Sequence, residues 1–395
     1  MEEWKSVHIG DLGTIVTGKT PKTSIEDNYG GDTPFLSPSD DLSGKYVPIT
    51  GRTLSNKGVH EVKNCLLPPQ SVCVSCIGSD LGKSVITRCN TITNQQFNSI
   101  IPSNGFDTDF VYYAMQFVGP ILNALSKTST AVPIINKSTF SSFQIRVPDY
   151  STQCRISRVL SALDDKIELN HRINHNLEQQ AQALYKSWFV DFEPFKDGEF
   201  IESDAGMIPK GWRVGNLLDV AELYDSKRKP LSNIQRSAMK KIYPYYGATS
   251  IMDYVDNYIF DGIYLLMGED GSVVTDEGYP YLQYVSGKFW PNNHAHVMQG
   301  KNGYTTEMLH CFLLKKNISE IITGAVQAKI SQGNMKKISL IIAPDAIMNE
   351  FTKILDGIYA KIRCVSSENL KLEIMRDSLL PKLMSGEFKI NEIDC

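Results

Sequence analysis

A long amphipathic segment without a helix-breaking residue occurs twice in this chain, and it restricts the fold more than any other feature. Alternating steps of four and three residues produce a narrow apolar stripe, the seam of a left-handed coiled coil. No Gly or Pro lies between Ser151 and Trp188, which predicts one continuous helix. The first seam comprises Ile156, Leu160, Leu163, Ile167, Asn170, Asn174, Leu177, Ala181, Leu184 and Trp188.

The second segment has one clear heptad series and one interrupted series. The interrupted series, which we call the partner series, begins with Ile347 and Ile354 and is broken at Lys361 and Glu368. A narrow seam fits one facing helix, so we expect the two helices to pack on each other; two ordinary core helices are the alternative. Antiparallel pairing would bring Asn170 and Asn174 opposite residues 361–369, and buried polar pairs fix register. The clear series comprises Phe351, Ile358, Val365, Leu372 and Leu379.

The two halves of the chain repeat each other, which predicts two similar domains. Trp4-Lys5 matches Trp212-Arg213, Asn94-Gln95-Gln96 matches Asn292-Asn293-His294, and each half reaches a Pro-Asp pair just before its long helix. The segment Ile77-Gly78-Ser79-Asp80 is paired with Met267-Gly268-Glu269-Asp270. We therefore expect an α+β fold in which two similar domains are joined by two long antiparallel coiled-coil helices with pseudo-two-fold symmetry. The expected boundaries are 1–150 and 211–343 for the domains, 151–192 and 344–386 for the helices, 193–210 for a linker and 387–395 for a tail.

Two long helices packed as a rigid pair would hold the two similar domains at a fixed distance. About 37 helical residues span about 55 Å at 1.5 Å per residue, whereas one turn of B-DNA is about 34 Å. Such a spacing suits a DNA target of two short half-sites with an unread gap, and diverged domains imply different half-sites.

Candidate DNA contacts fall on basic and amide-rich segments of both halves. Lysine and arginine bind phosphates, and Asn or Gln amides can pair with adenine in the major groove; a solvated surface and a plain turn are the alternatives. The first half offers Lys19, Thr20, Lys22, Lys83, Asn94, Gln95 and Gln96. The second half offers Lys227, Arg228, Lys229, Arg236, Lys240, Lys241, Tyr245, Tyr246, Asn293 and His294.

Composition favours a DNA-binding module that works with partners. The net charge of −4 argues against a protein that clamps DNA alone, because phosphate neutralisation supplies most of the affinity. Eight scattered cysteines show no disulfide framework, and neither a signal peptide nor an apolar run of about 20 residues is evident. We expect a cytoplasmic protein that does not bind membranes.

Several segments resemble the specificity subunits of type I restriction–modification systems. They include Leu163-Asp164-Asp165-Lys166-Ile167-Glu168-Leu169-Asn170, Leu184-Tyr185-Lys186-Ser187-Trp188-Phe189-Val190-Asp191-Phe192, Gly206-Met207-Ile208-Pro209-Lys210-Gly211-Trp212 and Thr17-Gly18-Lys19-Thr20-Pro21. The resemblance implies two target-recognition domains on double-stranded DNA, and helices that dock two methyltransferase subunits and the restriction (translocase) subunits. S-adenosylmethionine, ATP and Mg would then belong to those partner subunits.

Motifs for chemistry in this chain itself are absent or incomplete. Residues 78–84 resemble a phosphate loop but have three residues between the glycines where the loop needs four. Cys73-Val74-Ser75-Cys76 lacks a second cysteine pair, and His294-Ala295-His296 lacks a third ligand in the sequence. We expect no catalytic residue, cofactor or metal here. A methyltransferase or nuclease with fused recognition domains, and a coiled-coil linker protein, are the alternatives.

Overall fold

The computed structural model describes residues 4–126, 134–324 and 328–388. The chain forms two compact units: unit 1 contains Met1–Asn170 and Glu368–Cys395, and unit 2 contains His171–Ser367. These boundaries differ from the sequence-based ones, because each long helix is shared and each half of it packs with the adjoining domain.

Unit 1 combines small sheets with an inner helix. Its strands form a four-stranded sheet in the order β2-β8-β5-β6, a three-stranded sheet in the order β4-β3-β7, and the antiparallel pair β1-β9. The strands are β1 (Lys5–His8), β2 (Gly13–Thr17), β3 (Tyr29–Leu36), β4 (Thr53–Leu54), β5 (Val72–Ser75), β6 (Ser84–Ile86), β7 (Ile92–Thr93), β8 (Phe97–Pro102) and β9 (Gln144–Val147). The helices are α1 (Asn56–Glu61), α2 (Thr108–Ser126), α3 (Lys137–Ser142) and the shared α4 (Tyr150–Phe189).

Unit 2 has a continuous six-stranded sheet in the order β13-β18-β16-β17-β14-β15, with the pairs β10-β11 and β12-β19 beside it. Its helices are α5 (Leu217–Val220), α6 (Asn233–Ser237), α7 (Thr306–Leu314), α8 (Gln332–Met335) and the shared α9 (Asp345–Met384). The strands are β10 (Phe200–Ser203), β11 (Gly206–Pro209), β12 (Arg213–Asn216), β13 (Ala221–Leu223), β14 (Tyr243–Tyr246), β15 (Ile251–Val255), β16 (Phe260–Gly268), β17 (Leu282–Pro291), β18 (Ala295–Gly300) and β19 (Ser339–Ile342).

The sheets of the two units share one topology. Strand β17 pairs with both β16 and β14, and in unit 1 its role is divided between β6, which pairs with β5, and β7, which pairs in parallel with β3. Ser75 pairs with Phe97 at the start of β8, and Gly268 pairs with Ala295 at the start of β18. Because β8 and β18 are equivalent strands, Ser75 and Gly268 occupy equivalent positions. The sequence-based match of Gly78 to Gly268 is therefore wrong by three residues.

The long helices pair antiparallel within each unit. In unit 1, Leu160 near the start of α4 shares a core with Leu383 near the end of α9. In unit 2, Ala181 near the end of α4 shares a core with Leu355 near the start of α9. The expected α+β fold with two similar domains and paired long helices is confirmed.

Polar residues of the seam meet as the sequence predicts. Asn170 donates from Nδ2 to Asn369 Oδ1 and to Glu368 Oε2, each at 2.8 Å, and Asn174 Nδ2 donates to Ser366 Oγ at 2.9 Å. The carboxylate of Asp164 accepts from Arg376 at 2.9 Å and from the Tyr113 hydroxyl at 2.6 Å. These contacts fix the register of the helices because unpaired buried polar groups are costly.

The predicted partner series of α9, which includes Ile347 and Ile354, is out of register by one residue. Ile354 is 44 % exposed, whereas Leu355 is fully buried. Ile362 and Asn369 are also buried and follow Leu355 at intervals of seven. The partner series therefore runs one residue later than predicted, which explains its interruption at Lys361 and Glu368.

Within the described ranges, no helix has the length and apolar character needed to cross a bilayer.

Candidate nucleic-acid interface

Both units contain the same three-residue turn, which we call the amide turn: Asn94-Gln95-Gln96 in unit 1 and Asn292-Asn293-His294 in unit 2. Asn94 Oδ1 accepts from the Gln96 N–H at 3.0 Å, and Asn292 Oδ1 accepts from the His294 N–H at 2.7 Å. The first Asn of each turn also donates its own N–H to an adjacent strand, to Leu36 O or Tyr246 O, at 2.9 Å. Asn94 and Asn292 therefore build the turn, while Gln95, Asn293 and His294 are exposed.

A basic loop, residues 18–22 in unit 1, lies against the amide turn. The Lys19 N–H donates to Thr93 O at 2.9 Å, and Thr20 Oγ1 donates to Gln95 Oε1 at 2.7 Å. A Cβ at Gly18 would lie 2.1 Å from Asn94 O, so this close approach requires glycine. The structure thus brings Lys19 and Thr20 beside Gln95, which lies 75 residues after Thr20 in the sequence.

The basic loop of unit 2, residues 226–229, contains Arg228 where unit 1 has Thr20. Arg228 Nη1 donates to Ala295 O at 2.6 Å and to Glu269 Oε2 at 2.7 Å, and its side chain is 11 % exposed. The guanidinium is thus committed to the backbone of the turn and to a carboxylate, and the DNA contact of Arg228 stays a prediction.

In each unit a polar side-chain pair lies next to the amide turn, at the start of the strand that follows it. In unit 1, Thr17 Oγ1 donates to Asn98 Oδ1 at 2.7 Å. In unit 2, Asp225 Oδ2 lies 2.6 Å from His296 Nδ1, and His296 Nε2 lies 2.8 Å from Ile330 O. Burial opposes protonation of His296, but the hydrogen bond and charge of Asp225 outweigh it, so the pKa of His296 is raised.

Asp225, Glu269 and His296 also form the geometry of a three-ligand metal group. Arg228 lies 2.7 Å from Glu269 and 3.7 Å from Asp225, and so already supplies the positive charge that a cation would bring. Both ring nitrogens of His296 have partners as well. These residues fit an ion-paired support for the amide turn better than a metal site.

The remaining basic residues of the second half differ in availability. Arg236 and Lys241 both pair with Asp253, at 3.1 and 2.8 Å, and the Arg236 side chain is 11 % exposed. Tyr245 is 1 % exposed and its hydroxyl accepts from Leu231 N–H, so its side chain is not exposed for the DNA contact that the sequence predicts. Tyr246 is half-buried. Among the predicted candidates of this half, Lys227, Lys229 and Lys240 are exposed and carry no ion pair within the described residues.

The first half adds a residue that the sequence did not indicate. Lys19 and Lys137 lie close enough to Cys65 for their charges to lower its pKa, although burial dominates and raises it. Lys19, Lys22 and Lys137 are all exposed. Lys137, at the start of α3, is thus a further exposed cation of unit 1, whereas Lys83 pairs with Asp80 at 2.6 Å in the loop after β5. No pattern in the sequence connects Lys137 with Lys19.

Two equivalent surfaces of exposed lysines and amides, built on one topology but with different side chains, are typical of a protein with two DNA-recognition domains. Residues 1–179 and 209–374 match the family model described as type I restriction modification DNA specificity domain. The chain therefore belongs to the family of type I restriction–modification specificity subunits, as the sequence resemblance predicted.

Relatives of full length support this assignment. The type I restriction enzyme MjaIX specificity subunit of Methanocaldococcus jannaschii is 28 % identical over 415 residues, which cover 99 % of this chain and 95 % of the relative. The HindI specificity subunit of Haemophilus influenzae is 22 % identical over 478 residues, which cover 98 % of this chain and all of the relative. The crystal structure of a type I S subunit from M. genitalium has the same fold, with a TM-score of 0.52, 16 % identity, and coverage of 97 % of this chain and 96 % of that one.

Proposed function

We propose that this chain reads a bipartite double-stranded DNA target, with one unit for each half-site, and performs no catalysis itself. The observation that carries the proposal is the repeated interface: the two amide turns are held by equivalent hydrogen bonds, and a basic loop contacts each of them. The exposed side chains differ, with Gln95 in one unit and Asn293 and His294 in the other. Different side chains on one frame favour two unlike half-sites.

The same proposal assigns the chemistry to partners. Two methyltransferase subunits would dock on the long helices, bind S-adenosylmethionine and flip the target adenine, and restriction subunits would supply ATP- and Mg-dependent translocation and cleavage. Membership in the specificity-subunit family supports assembly with other subunits. Exposed apolar side chains on the helices, Leu169, Leu370 and Ile374, fit protein partners better than water. A cytoplasmic location follows from this role.

A domain exchange tests the proposal directly. The full chain is expressed with its methyltransferase subunits in a host without other adenine methylation, and the modified sites are read by methylome sequencing. We expect a two-part target with an unread gap. Replacement of residues 4–147 by the equivalent segment of another specificity subunit should change one half-site and leave the other intact.

The matched control replaces residues 212–342 and should change the opposite half-site. Methylation by the chain without its partners would favour a fused methyltransferase. A target that is continuous, or that changes in both halves after one exchange, would contradict the assignment of one unit to each half-site.

A further inference from the structure

His294 is the exposed histidine of the amide turn in unit 2, and a carboxylate orients its ring. Its Nδ1 is hydrogen-bonded to Asp270 Oδ1. The His294 side chain is 46 % exposed, whereas His296, two residues later, is 1 % exposed with both ring nitrogens engaged. In the described part of the chain, Nε2 of His294 has no hydrogen-bond partner, so this nitrogen remains available for a ligand.

The backbone that carries His294 is held from both sides. Its N–H donates to Asn292 Oδ1 at 2.7 Å, and its carbonyl accepts from the Glu269 N–H at 2.8 Å. Arg228 anchors the next residue through Ala295 O at 2.6 Å. The position and ring orientation of His294 are therefore set before a ligand binds, so binding loses less conformational entropy.

We propose that His294 reads a base edge in the half-site of unit 2, and that Asp270 is the positioning residue that sets its tautomer. This inference rests on the proposed function. Because the Asp270 carboxylate accepts the Nδ1 proton, the neutral ring presents Nε2 as an acceptor. The groups that donate in the major groove are the exocyclic amines of adenine and cytosine. The contacted base pair should therefore present one of these amines to His294.

Unit 1 has no equivalent of this pair. Asp270 forms an isolated antiparallel bridge with Lys329, and Ile77 forms the corresponding bridge with Ile134 in unit 1. Ile77 therefore occupies the position of Asp270. Gln96 takes the place of His294, and its Oε1 accepts from Asn94 Nδ2 at 2.8 Å. An aliphatic side chain cannot orient an imidazole, so the His294 readout should be confined to one half-site.

The experiment uses the complex of the full chain with its methyltransferase subunits. A set of duplexes, each with one base pair of the target replaced, is assayed for transfer of labelled methyl groups. His294→Ala should reduce discrimination about tenfold at one base pair of one half-site, the scale of a lost specific base contact. Asp270→Ala should reduce it at the same base pair, but by less, because the imidazole remains. Asp270→Asn should reduce it as well, because its amide N–H can donate to Nδ1 and leave the proton on Nε2, which then no longer accepts.

Two controls separate the outcomes. Asp276→Ala removes an exposed acid from the same unit and should leave all discrimination unchanged. Gln96→Ala should alter only the other half-site. Unchanged discrimination in His294→Ala, or an equal loss on every duplex, would overturn the inference, because the first excludes a base contact and the second indicates a phosphate contact or misfolding. A parental complex that shows no two-part preference would instead contradict the proposed function.

Discussion

Corresponding contacts join the inner helix of each unit to a long helix, but with different chemistry. In unit 1, Tyr113 on α2 donates to Asp164 on α4, whose carboxylate is neutralised by Arg376. In unit 2, His310 on α7 contacts the Tyr359 hydroxyl on α9 at 2.7 Å, and the sulfur of Cys311 lies near the same hydroxyl. The first contact is charged and the second is neutral, so the two units should respond differently to pH.

His310 should make the stability of unit 2 sensitive to acid. Burial lowers the pKa of His310 from 6.5 to about 4. Below pH 6.5 the unfolded chain binds a proton that the folded chain does not, so stability is present above pH 6.5 and is lost as the pH falls toward 4. The loss is at most about 3 kcal/mol. His310→Gln should remove most of this loss, as measured by urea unfolding of the chain at several pH values between 7 and 4.

The control for this measurement is His175→Gln, which deletes an exposed histidine of α4. It removes the same titrating group from the unfolded chain without removing a buried one, so its pH dependence should match that of the parent. If His310→Gln also matches the parent, the buried imidazole is not what limits acid stability.

Residue chemistry alone could not identify which candidate side chains face solvent. The sequence correctly paired the two amide turns, because the Asn in each copy has the same local hydrogen-bonding role. It did not distinguish Arg228 or Tyr245 from exposed neighbours such as Lys229. Their burial depends on contacts with Glu269 and Leu231, which are set by strand pairing rather than by local sequence.

At the scale of elements, the heptad pattern predicted both long helices, since α4 and α9 span residues 150–189 and 345–384. Local spacing determines a helix and its apolar stripe, and so both are legible in a sequence. The register of the partner series in α9 was not legible, because adjacent Ile354 and Leu355 are equally apolar. Packing against α4 decides between them.

This choice can be measured with two adjacent substitutions. Leu355→Ala should lower the free energy of unfolding by about 2–5 kcal/mol, because it creates a cavity at a fully buried position. Ile354→Ala should cost less than about 1 kcal/mol, because its side chain is 44 % exposed. The measurement is urea unfolding of both variants and the parent. Equal losses, or a larger loss for Ile354→Ala, would restore the register first inferred from the sequence.

At the scale of the whole molecule, the chain is one topology used twice with helices that continue from one unit into the other. Each helix contributes one half to each unit, with the division at residues 170 and 171 in α4 and at 367 and 368 in α9. The length of the helices between the recognition domains is therefore a variable that can change without altering either set of exposed amides and lysines. If the helices set the gap of a bipartite target, gap length and half-site sequence should be separable properties.

Removal of one heptad from each helix tests that separation. Deletion of residues 171–177 together with 362–368 preserves the heptad phase and retains the contact between Asn170 and Asn369. Seven residues correspond to about 10 Å of helix, or about three base pairs of B-DNA. Methylome sequencing should show both half-sites unchanged and the gap shortened by about that amount.

A matched deletion of four residues from each helix breaks the heptad phase and should abolish the target, because apolar seam positions rotate away from the partner helix. An altered half-site after the heptad deletion would mean that the helices shape base recognition itself, and an unchanged gap would mean that they do not determine spacing.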